Sequence, residues 1–361
     1  MKQSVRSRTL SDPESSTISI TQYRPALTSL LGPSPAFSLL LSSYETSKNP
    51  FFRSICAYLP GHDELIITSN LLQPTSTSAK PIILITRARL IRSDDLSTIH
   101  SIEWQKLRPP PSMPMPASGA PYLDGVLYCS QGNASPGTGG LYYMPRGHPP
   151  VPVVTSYFGK GFNSVHSVAV SQSDGALWFT DPCFGADRGF RPRPEMPCHV
   201  YRHVPQTGDL RVMADGLGRP TGVALSPDGG TVYVGDAGVE GEEGGEVVRA
   251  ATVYAFDAAE RAGGLFLANK RVFAYVLAGV PMGITCDGLG NVYVGSGDGV
   301  EVFSAGGEIL GVIEVPGGVS SLAFGKGGEL FLCSEQRLWR AQLDQPQVGN
   351  LQYSAMSTED I

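Results

Sequence analysis

A short run of apolar residues recurs six times along the chain. Each copy starts at a turn residue, continues through four or five β-prone residues and stops at a small or polar residue. This pattern is typical of a buried strand. The six copies are DELIITSN (63–70), GVLYCSQGN (125–133), GALWFTDP (175–182), GTVYVGDAG (230–238), GNVYVGSGDG (290–299) and GELFLCSEQ (328–336).

The sequence around each copy extends it into a three- or four-stranded meander. An apolar segment precedes it, a turn signal such as SPDGG separates the two, and a further strand-like segment often follows. Units of this kind, spaced roughly 40–60 residues apart, predict an all-β fold, a six-bladed β-propeller. A pair of β-sandwiches is the alternative, and six similar units are awkward to divide between two of them.

The predicted domain organisation is a single propeller with two tails. Residues 1–15 are polar and predicted to be disordered, residues 16–343 form the propeller, and residues 344–361 form a C-terminal tail that is loose or packed on the surface. Either STISITQY (16–23) or FSLLLSSY (37–44) supplies the last strand of the final blade and closes the ring. The acidic, glycine-rich segment 239–250 is expected to be a solvated loop.

The innermost strand of every blade lines the central channel, so residues at the start of these strands should converge. Ser54, His166 and Thr221 each lie 11 residues before the first apolar residue of the following copy, and the other blades have similar spacings of 9 or 10. We expect these positions to form a ring at one mouth: Ser54, Ser118, His166, Thr221, Met282 and Ser320. The ends of the second strands should form an outer layer there: Asn70, Gln131, Asp181, Asp236, Ser296 and Glu335.

Composition narrows the classes of partner. Of 361 residues, 17% are charged and the net charge is −6, so no basic face is indicated and nucleic acid is not an expected partner. No apolar run approaches the ~18 residues that a membrane span requires. The N-terminus lacks the apolar core of a secretory signal. The six cysteines have no CxxC spacing, which favours buried thiols in a reducing compartment, hence a cytoplasmic location, over zinc or disulfide sites.

Several phrases in the repeats carry a family resemblance. The unit order and the phrases FNS, WFTDP, RPRPEMPCHVYR and TGDLRVMADGLGRPTGVALSPDG are similar to the senescence marker protein/gluconolactonase family, in particular its fungal lactonohydrolases. The resemblance covers about residues 36–343. It implies a six-bladed propeller that holds one catalytic calcium ion on its axis through a glutamate, two asparagines and an aspartate.

This chain departs from the family at every calcium ligand. Ser54 stands in place of the glutamate, His166 and Thr221 in place of the asparagines, and Met282 in place of the aspartate. Calcium prefers six to eight hard oxygen ligands, usually with carboxylates among them. We therefore predict no metal and no cofactor, and no calcium-dependent hydrolysis.

The candidate site residues follow from the predicted ring. His166 would hold or pass a proton, and Ser54 and Thr221 would donate hydrogen bonds in catalysis. The remaining candidates are assigned to substrate binding: Met282, Ser320, Ser118, Asn70, Tyr157, Phe158, Phe162 and Arg219. Tyr157, Phe158 and Phe162 would form an aromatic lid, with blade-to-blade packing as the alternative. Arg53 and Arg219 flank ring positions, where they could bind an anionic oxygen or simply be solvated.

A site with neutral donors, one histidine and apolar walls suits a substrate that is already reactive and needs orientation. The lost ligands resemble those of calcium-less fungal members of the family that act as hetero-Diels–Alderases. The predicted function is therefore a metal-independent cyclase that joins a tropolone-type o-quinone methide to a terpene alkene such as a humulene. The alternatives are a lactonase- or esterase-type hydrolase and a non-catalytic propeller that binds a small molecule.

Overall fold

A computed structural model describes residues 6–9, 18–44, 49–73, 81–93, 98–135, 137–238 and 251–343. Six sheets of four or five antiparallel strands form a six-bladed β-propeller, as predicted. In five blades the four consecutive strands of the blade follow one another outward from the axis, and the sixth takes its outermost strand from the N-terminal region. No helix among the described residues is long and apolar enough to cross a membrane.

The elements follow in chain order. Before the first blade lie β1 (Arg6–Thr9), β2 (Ser19–Gln22), α1 (Ala26–Leu31) and β3 (Ala36–Ser42). Blades one and two contain β4 (Ser54–Leu59), β5 (Glu64–Thr68), β6 (Ile85–Arg92), β7 (Ile99–Leu107), β8 (Pro116–Tyr122), β9 (Gly125–Ser130), β10 (Gly140–Pro145) and β11 (Val151–Val154). A small hairpin, β12 (Ser156–Tyr157) and β13 (Lys160–Gly161), precedes blade three.

The other four blades have the same plan. Blade three contains β14 (Ser167–Val170), β15 (Leu177–Asp181), α2 (Phe184–Asp187), β16 (His199–Val204) and β17 (Asp209–Ala214). Blade four contains β18 (Pro220–Leu225), β19 (Thr231–Asp236), β20 (Thr252–Arg261) and β21 (Gly264–Tyr275). Blades five and six contain β22 (Ile284–Cys286), β23 (Val292–Gly295), β24 (Gly299–Phe303), β25 (Ile309–Glu314), β26 (Ser321–Phe324), β27 (Glu329–Ser334) and β28 (Arg337–Gln342).

The repeated apolar runs form the second strand of each blade, which is covered on both faces. In β15, every residue is buried. Successive side chains of a strand point to opposite faces of the sheet. Trp178 accordingly packs in the layer between blades three and four, and Phe179 in the layer between blades two and three. A continuous apolar run therefore indicates a strand with a blade on each side.

The hydrophobic core is divided into layers between neighbouring blades. Six large clusters of buried side chains lie one at each blade-to-blade contact around the ring. Helix α1 covers the layer between blades five and six through Leu27, Leu30 and Leu31. Each blade thus depends on two neighbours for burial, and blades one and six are covered on both faces only when the ring is closed.

The N-terminal region closes the ring. Strand β3 pairs with β28 as the outermost strand of blade six, which confirms that the segment 37–44 supplies this strand. The other predicted candidate, 16–23, contains β2, which pairs with β25 as a fifth strand of blade five. Strand β1 pairs with β7, so Arg6–Thr9 corrects the prediction of a disordered tail, because an edge strand offered its backbone groups as partners. The rest of that tail, the loop 239–250 and the tail 344–361 lie outside the described residues.

A buried ion-pair network crosses the contact between blades one and six. Arg92 donates to Asp63 Oδ1 at 2.9 Å and to the two carboxylate oxygens of Glu329 at 2.9 and 2.8 Å. Arg340 donates to Glu329 Oε1 at 2.6 Å. Burial alone would raise the pKa of Asp63, but the hydrogen bonds from Arg92, Lys326 and Tyr58 bring it below its ordinary value. The blades that join the two ends of the chain are therefore held by charge as well as by packing.

Ring closure by β3 can be tested at Leu40, which is fully buried between blades six and one. We expect Leu40→Ala to lower the free energy of unfolding by about 2–5 kcal/mol, because the truncation leaves a cavity in that layer. Ser38→Ala on the same strand should change it by less than about 0.5 kcal/mol. Urea denaturation measures both variants. Equal effects of the two substitutions would argue against β3 as a packed part of the ring.

Candidate functional site

The six predicted ring residues do come together at one mouth. Each lies at or near the start of the innermost strand of its blade, and all of them line one cavity of about 110 Å³ on the axis. The innermost strands are close together here: a Cβ on Gly222 would lie 2.4 Å from the carbonyl oxygen of Met282 in the next blade. A cavity this small admits the head group of a ligand, since whole small-molecule sites usually measure about 300–1,000 Å³.

A belt of hydrogen bonds runs around the axis at this mouth. At every blade-to-blade contact, a donor on one blade binds a backbone carbonyl of the next blade along the chain. The contacts are Thr68 Oγ1 to Ala117 O (2.8 Å), Ser118 Oγ to His166 O, Thr180 Oγ1 to Thr221 O (2.9 Å), Thr221 Oγ1 to Pro281 O (2.7 Å), Gly283 N to Ser320 O (3.2 Å) and Ser320 Oγ to Arg53 O (2.7 Å). The ring is thus joined by polar contacts as well as by its apolar layers.

The belt revises the roles predicted for three hydroxyls. A hydroxyl group has one proton to donate. Thr221, Ser320 and Ser118 each donate it to a carbonyl of the neighbouring blade. The prediction that they donate to a substrate is therefore corrected: their protons hold the ring together. Thr221 is moreover completely buried.

Two other predicted polar residues differ in position. Ser54 lies at the start of β4, lines the axial cavity and makes no hydrogen bond through its hydroxyl to any described residue. Asn70 follows β5, is half-buried and binds Pro50 O through its backbone N–H, and it does not line the axial cavity. Ser54 is therefore placed to contact a ligand in the cavity, whereas Asn70 is not.

His166 lies in the cavity wall as a neutral imidazole. Its Nδ1 is 3.3 Å from the carbonyl oxygen of Thr221, and its ring packs edge-on against Phe184 with 5.0 Å between centroids. A carbonyl oxygen can only accept a hydrogen bond, so Nδ1 carries the hydrogen and Nε2 is left as an acceptor. Burial, followed by the charges of Arg53 and Arg188, lowers the pKa of His166 to about 3.

Arg53 places a positive charge in the mouth. Its guanidinium extends from blade one to Met282 of blade five, where Nη2 lies 3.7 Å from the sulfur. Burial and the nearby charge of Arg188 lower the pKa of Arg53 to about 10, so the group remains protonated at neutral pH. Within the described part of the chain it forms no ion pair. A thioether is a weak acceptor, so the guanidinium retains donors for a ligand oxygen.

The aspartates that end the second strands hold the loops from which the ring residues project. Asp181 accepts hydrogen bonds from the backbone N–H groups of Asn163 at 2.9 Å and Ser164 at 2.7 Å. Burial raises the pKa of Asp181 to about 7, against the effect of these two amides. Asp236 likewise accepts hydrogen bonds from the backbone N–H groups of Gly218 at 2.9 Å and Arg219 at 2.8 Å. Both carboxylates therefore position His166 and Thr221 indirectly.

Arg219 and the aromatic segment do not lie where they were predicted to act. Arg219 is paired with Asp187 of α2 through two contacts of 2.6 and 2.8 Å, and this pairing occupies its guanidinium. Phe162 is buried in the layer between blades two and three, where Tyr157 packs against Tyr201. Phe158 is 82% exposed at the tip of the small hairpin. None of these aromatic side chains lines the axial cavity, so the lid prediction is corrected in favour of packing between blades.

Comparison with known proteins finds a family that part of the chain resembles. Residues 162–336 match the family model described as the SMP-30/gluconolactonase/LRE-like region. A solved gluconolactonase from Xanthomonas campestris superposes with a TM-score of 0.67 and 25% identity, covering 94% of this chain and 97% of that one. Residues 162–336 resemble the gluconolactonase-like family, and the whole chain shares the fold of this solved gluconolactonase. A gluconolactonase from Zymomonas mobilis is 33% identical over 204 residues, 53% of this chain and 53% of that protein.

A fungal lactonohydrolase also matches. A lactonohydrolase of Aspergillus oryzae is 28% identical over 244 residues, which cover 61% of this chain and 54% of that protein. This chain therefore spans about half the length of the curated relatives it matches. All three relatives are named for lactone hydrolysis and none is named as a cyclase, so the predicted cycloaddition gains no support from them.

The ring of this gluconolactonase-like chain does not fit the calcium ion that the family resemblance implies. The side chains at the four ligand positions are a serine, a neutral imidazole, a threonine whose proton is engaged, and a thioether. Arg53 adds a positive charge beside them. Calcium needs hard, preferably anionic oxygens. Among the described residues there is also no cluster of three or more His, Cys, Asp or Glu side chains that could hold a metal.

Two groups that shape the mouth were missed by sequence reasoning. Phe184 and Arg188 lie on or beside α2, and Arg188 lies over the Phe184 ring with 5.0 Å to its centroid. They follow the second strand of blade three within a segment, DPCFGADRGF, that has no counterpart in the other repeats. The extra length of this loop was the available signal, because a long insertion at the end of a second strand lies over the mouth.

The charge of Arg53 can be tested through His166. In Arg53→Met, the pKa of His166 should rise but stay below its ordinary value of about 6.5, because burial is the larger cause of its depression and remains. Nuclear magnetic resonance of the imidazole measures it, with assignment by His166→Asn. Arg211→Met, a half-buried arginine on the outermost strand of blade three, should cause no change.

The low pKa of His166 also makes the stability of the fold depend on pH. Because the pKa of His166 is about 3 in the folded protein and about 6.5 in the unfolded chain, its contribution to stability is complete above about pH 6.5 and is lost as the pH falls from there to about 3. An unaltered His166 pKa in Arg53→Met would show that the guanidinium does not act on the imidazole.

Proposed function

We propose that this protein is a metal-independent hydrolase of a lactone or related activated ester. Arg53 would bind the carbonyl oxygen at the axial mouth. One observation supports this most: Arg53 and His166 both line the axial cavity. The guanidinium of Arg53 has no ion-pair partner among the described residues, and the imidazole of His166 is neutral. The names of the relatives favour the same substrate class.

The proposed reaction begins with attack of water on the lactone carbonyl carbon. As the C–O π bond breaks, its electron pair moves to the carbonyl oxygen, and Arg53 stabilises that negative charge in place of a metal ion. His166 Nε2 accepts the proton of the attacking water and returns it to the ring oxygen when the ring C–O bond breaks. The product is a hydroxy acid, and His166 ends neutral.

His166 is a weak base in the resting site, and the reaction itself would strengthen it. Its pKa is low because of burial and because of the charges on Arg53 and Arg188. A negative charge that develops on the substrate oxygen offsets those two charges and makes protonation of the imidazole more favourable. Proton transfer would therefore accompany formation of the oxyanion rather than precede it.

The hydrolase proposal is tested with a panel of lactones and aryl esters assayed with and without a chelator. We expect hydrolysis that the chelator does not reduce, and a fall in kcat of about 10²–10³-fold in Arg53→Met, the usual cost of removing an oxyanion donor. Arg53→Lys, which keeps the charge, should lose less. Arg211→Met is the matched control and should keep full activity.

Two results would contradict the hydrolase proposal. One is hydrolysis that the chelator abolishes and calcium restores. The other is full activity in Arg53→Met.

Cycloaddition is a second candidate, favoured by the low basicity of His166. A hydrogen bond from Arg53 to the carbonyl of a heterodiene would make the diene more electrophilic without any proton transfer. A non-catalytic binding propeller is less favoured, because the axial cavity is open rather than filled by side chains.

The two reactions are separated by incubating the protein with an o-quinone methide precursor and a humulene-type alkene. Cycloaddition predicts a stereochemically enriched product and an inert lactone panel. Arg53→Met should then lower turnover while the fold remains intact, because it removes the hydrogen bond to the diene. A racemic product at the uncatalysed rate would remove this candidate.

A further inference from the structure

Two thiols are in contact at the rim of the axial mouth. Cys183, just after β15, and Cys198, just before β16, have their sulfur atoms 3.2 Å apart. The chain between them, residues 184–197, contains α2 and returns to the same sheet. The two cysteines therefore lie at the two ends of one closed loop. Sulfur atoms at this separation need to approach by only about 1.2 Å to reach the ~2.05 Å of a disulfide bond.

One thiol of the pair, that of Cys183, faces a separate cavity that is open to solvent. Cys183 lines a cavity of about 440 Å³ between blades two and three, whose wall also includes Asn163, Ala186, Arg191 and Glu195. This cavity is four times the volume of the one on the axis. Both cysteines are only 6–7% exposed at their own surfaces. A small reagent, rather than another protein, is the partner that such an opening admits.

The surroundings favour the loss of one proton from the pair. The hydrogen bond between the two sulfur atoms favours a thiolate, as does Arg219, whose Nη1 lies 3.8 Å from the Cys198 sulfur, whereas burial opposes the charge. The net effect is a pKa of Cys198 below its ordinary value. Asp181 is the nearby group that works against this. The thiolate is the reactive form of cysteine, and a neighbouring cation is the usual means of stabilising it.

We propose that Cys183 and Cys198 form a reversible disulfide by exchange with a low-molecular-weight disulfide such as oxidised glutathione. The thiolate of the pair attacks one sulfur of the small disulfide and releases one small thiolate. The other cysteine then loses its proton and attacks the protein sulfur of the mixed disulfide, releasing the second small thiolate. Two protein thiols are thereby oxidised, the small disulfide is reduced to two thiols, and the released thiolates take up the protons.

The disulfide would fix the loop that forms one side of the mouth. Residues 184–197 carry Phe184 against His166 and Arg188 over Phe184. A bond between Cys183 and Cys198 ties both ends of this loop to the sheet of blade three. The disulfide would therefore restrain the loop whose Phe184 packs against His166. The thiol chemistry does not rest on the proposed hydrolase activity.

The test treats the full chain with oxidised glutathione and counts thiols after denaturation. With six cysteines in the chain, the reduced protein should show six thiols and the oxidised protein four, and a reductant should restore six. Trypsin under non-reducing conditions should release peptides 161–188 and 189–202 as one linked species, because the bonds after Arg191 and Arg193 precede prolines and resist cleavage.

Matched variants locate the disulfide. Cys286 is equally buried and lines the cavity at the opposite mouth. The Cys286→Ser variant should therefore still form the disulfide, and its thiol count should fall from five to three on oxidation. Oxidised Cys183→Ser should give no linked peptides, and it should not lose two thiols. Linked peptides in Cys183→Ser, or no linked species in the wild-type chain after oxidation, would overturn the proposal. Circular dichroism of Cys183→Ser verifies that it is folded.

Discussion

The belt of hydrogen bonds around the axis is the constraint on which the rest of the molecule depends. Six blades of similar sequence could pack with many small rotations, because apolar layers are tolerant of sliding. At every contact of this ring, however, a donor of one blade meets a backbone carbonyl of the next. Hydrogen bonds are directional. The belt therefore fixes how the innermost strands face one another, and with them the shape of the axial cavity.

The belt also explains why the site has so little hydrogen-bonding capacity left for a ligand. Most of the polar side chains at the mouth hold the scaffold, and the aspartates behind them hold loops. The groups that remain are Ser54, Nε2 of His166 and the guanidinium of Arg53. The guanidinium of Arg53 supplies the positive charge that the metal ion implied by the family resemblance would supply. The imidazole of His166 beside it is neutral, so it adds nothing to the repulsion between Arg53 and Arg188.

Much of the fold could be predicted from the sequence because a propeller is a local repeat. The spacing of the six copies indicated the number of blades, and their continuous apolar runs indicated strands buried on both faces. The convergence of the ring also followed from counting residues. Side-chain partners did not follow. Strand periodicity says which way a hydroxyl points but not which carbonyl lies within reach in another blade.

The errors at the site have the same origin. Phe162 and Tyr157 were predicted to form a lid because they precede an innermost strand, yet both pack in the layer between blades two and three. Arg219 was a candidate for binding an anion, and its partner Asp187 is on a loop insertion that no repeat pattern describes. Arg53 was noted as a flanking residue, but its reach across to Met282 depends on the curvature of the whole ring.

The charge at the mouth has a consequence for how a reaction cycle would end. The chain as a whole carries a net charge of −6, whereas Arg53 and Arg188 make the mouth locally positive. A neutral compound would enter without strong attraction and leave as easily. A carboxylate formed inside would be retained by the guanidinium groups. Departure of an anionic product, rather than bond cleavage, would then limit turnover, and added salt would hasten it by screening the attraction.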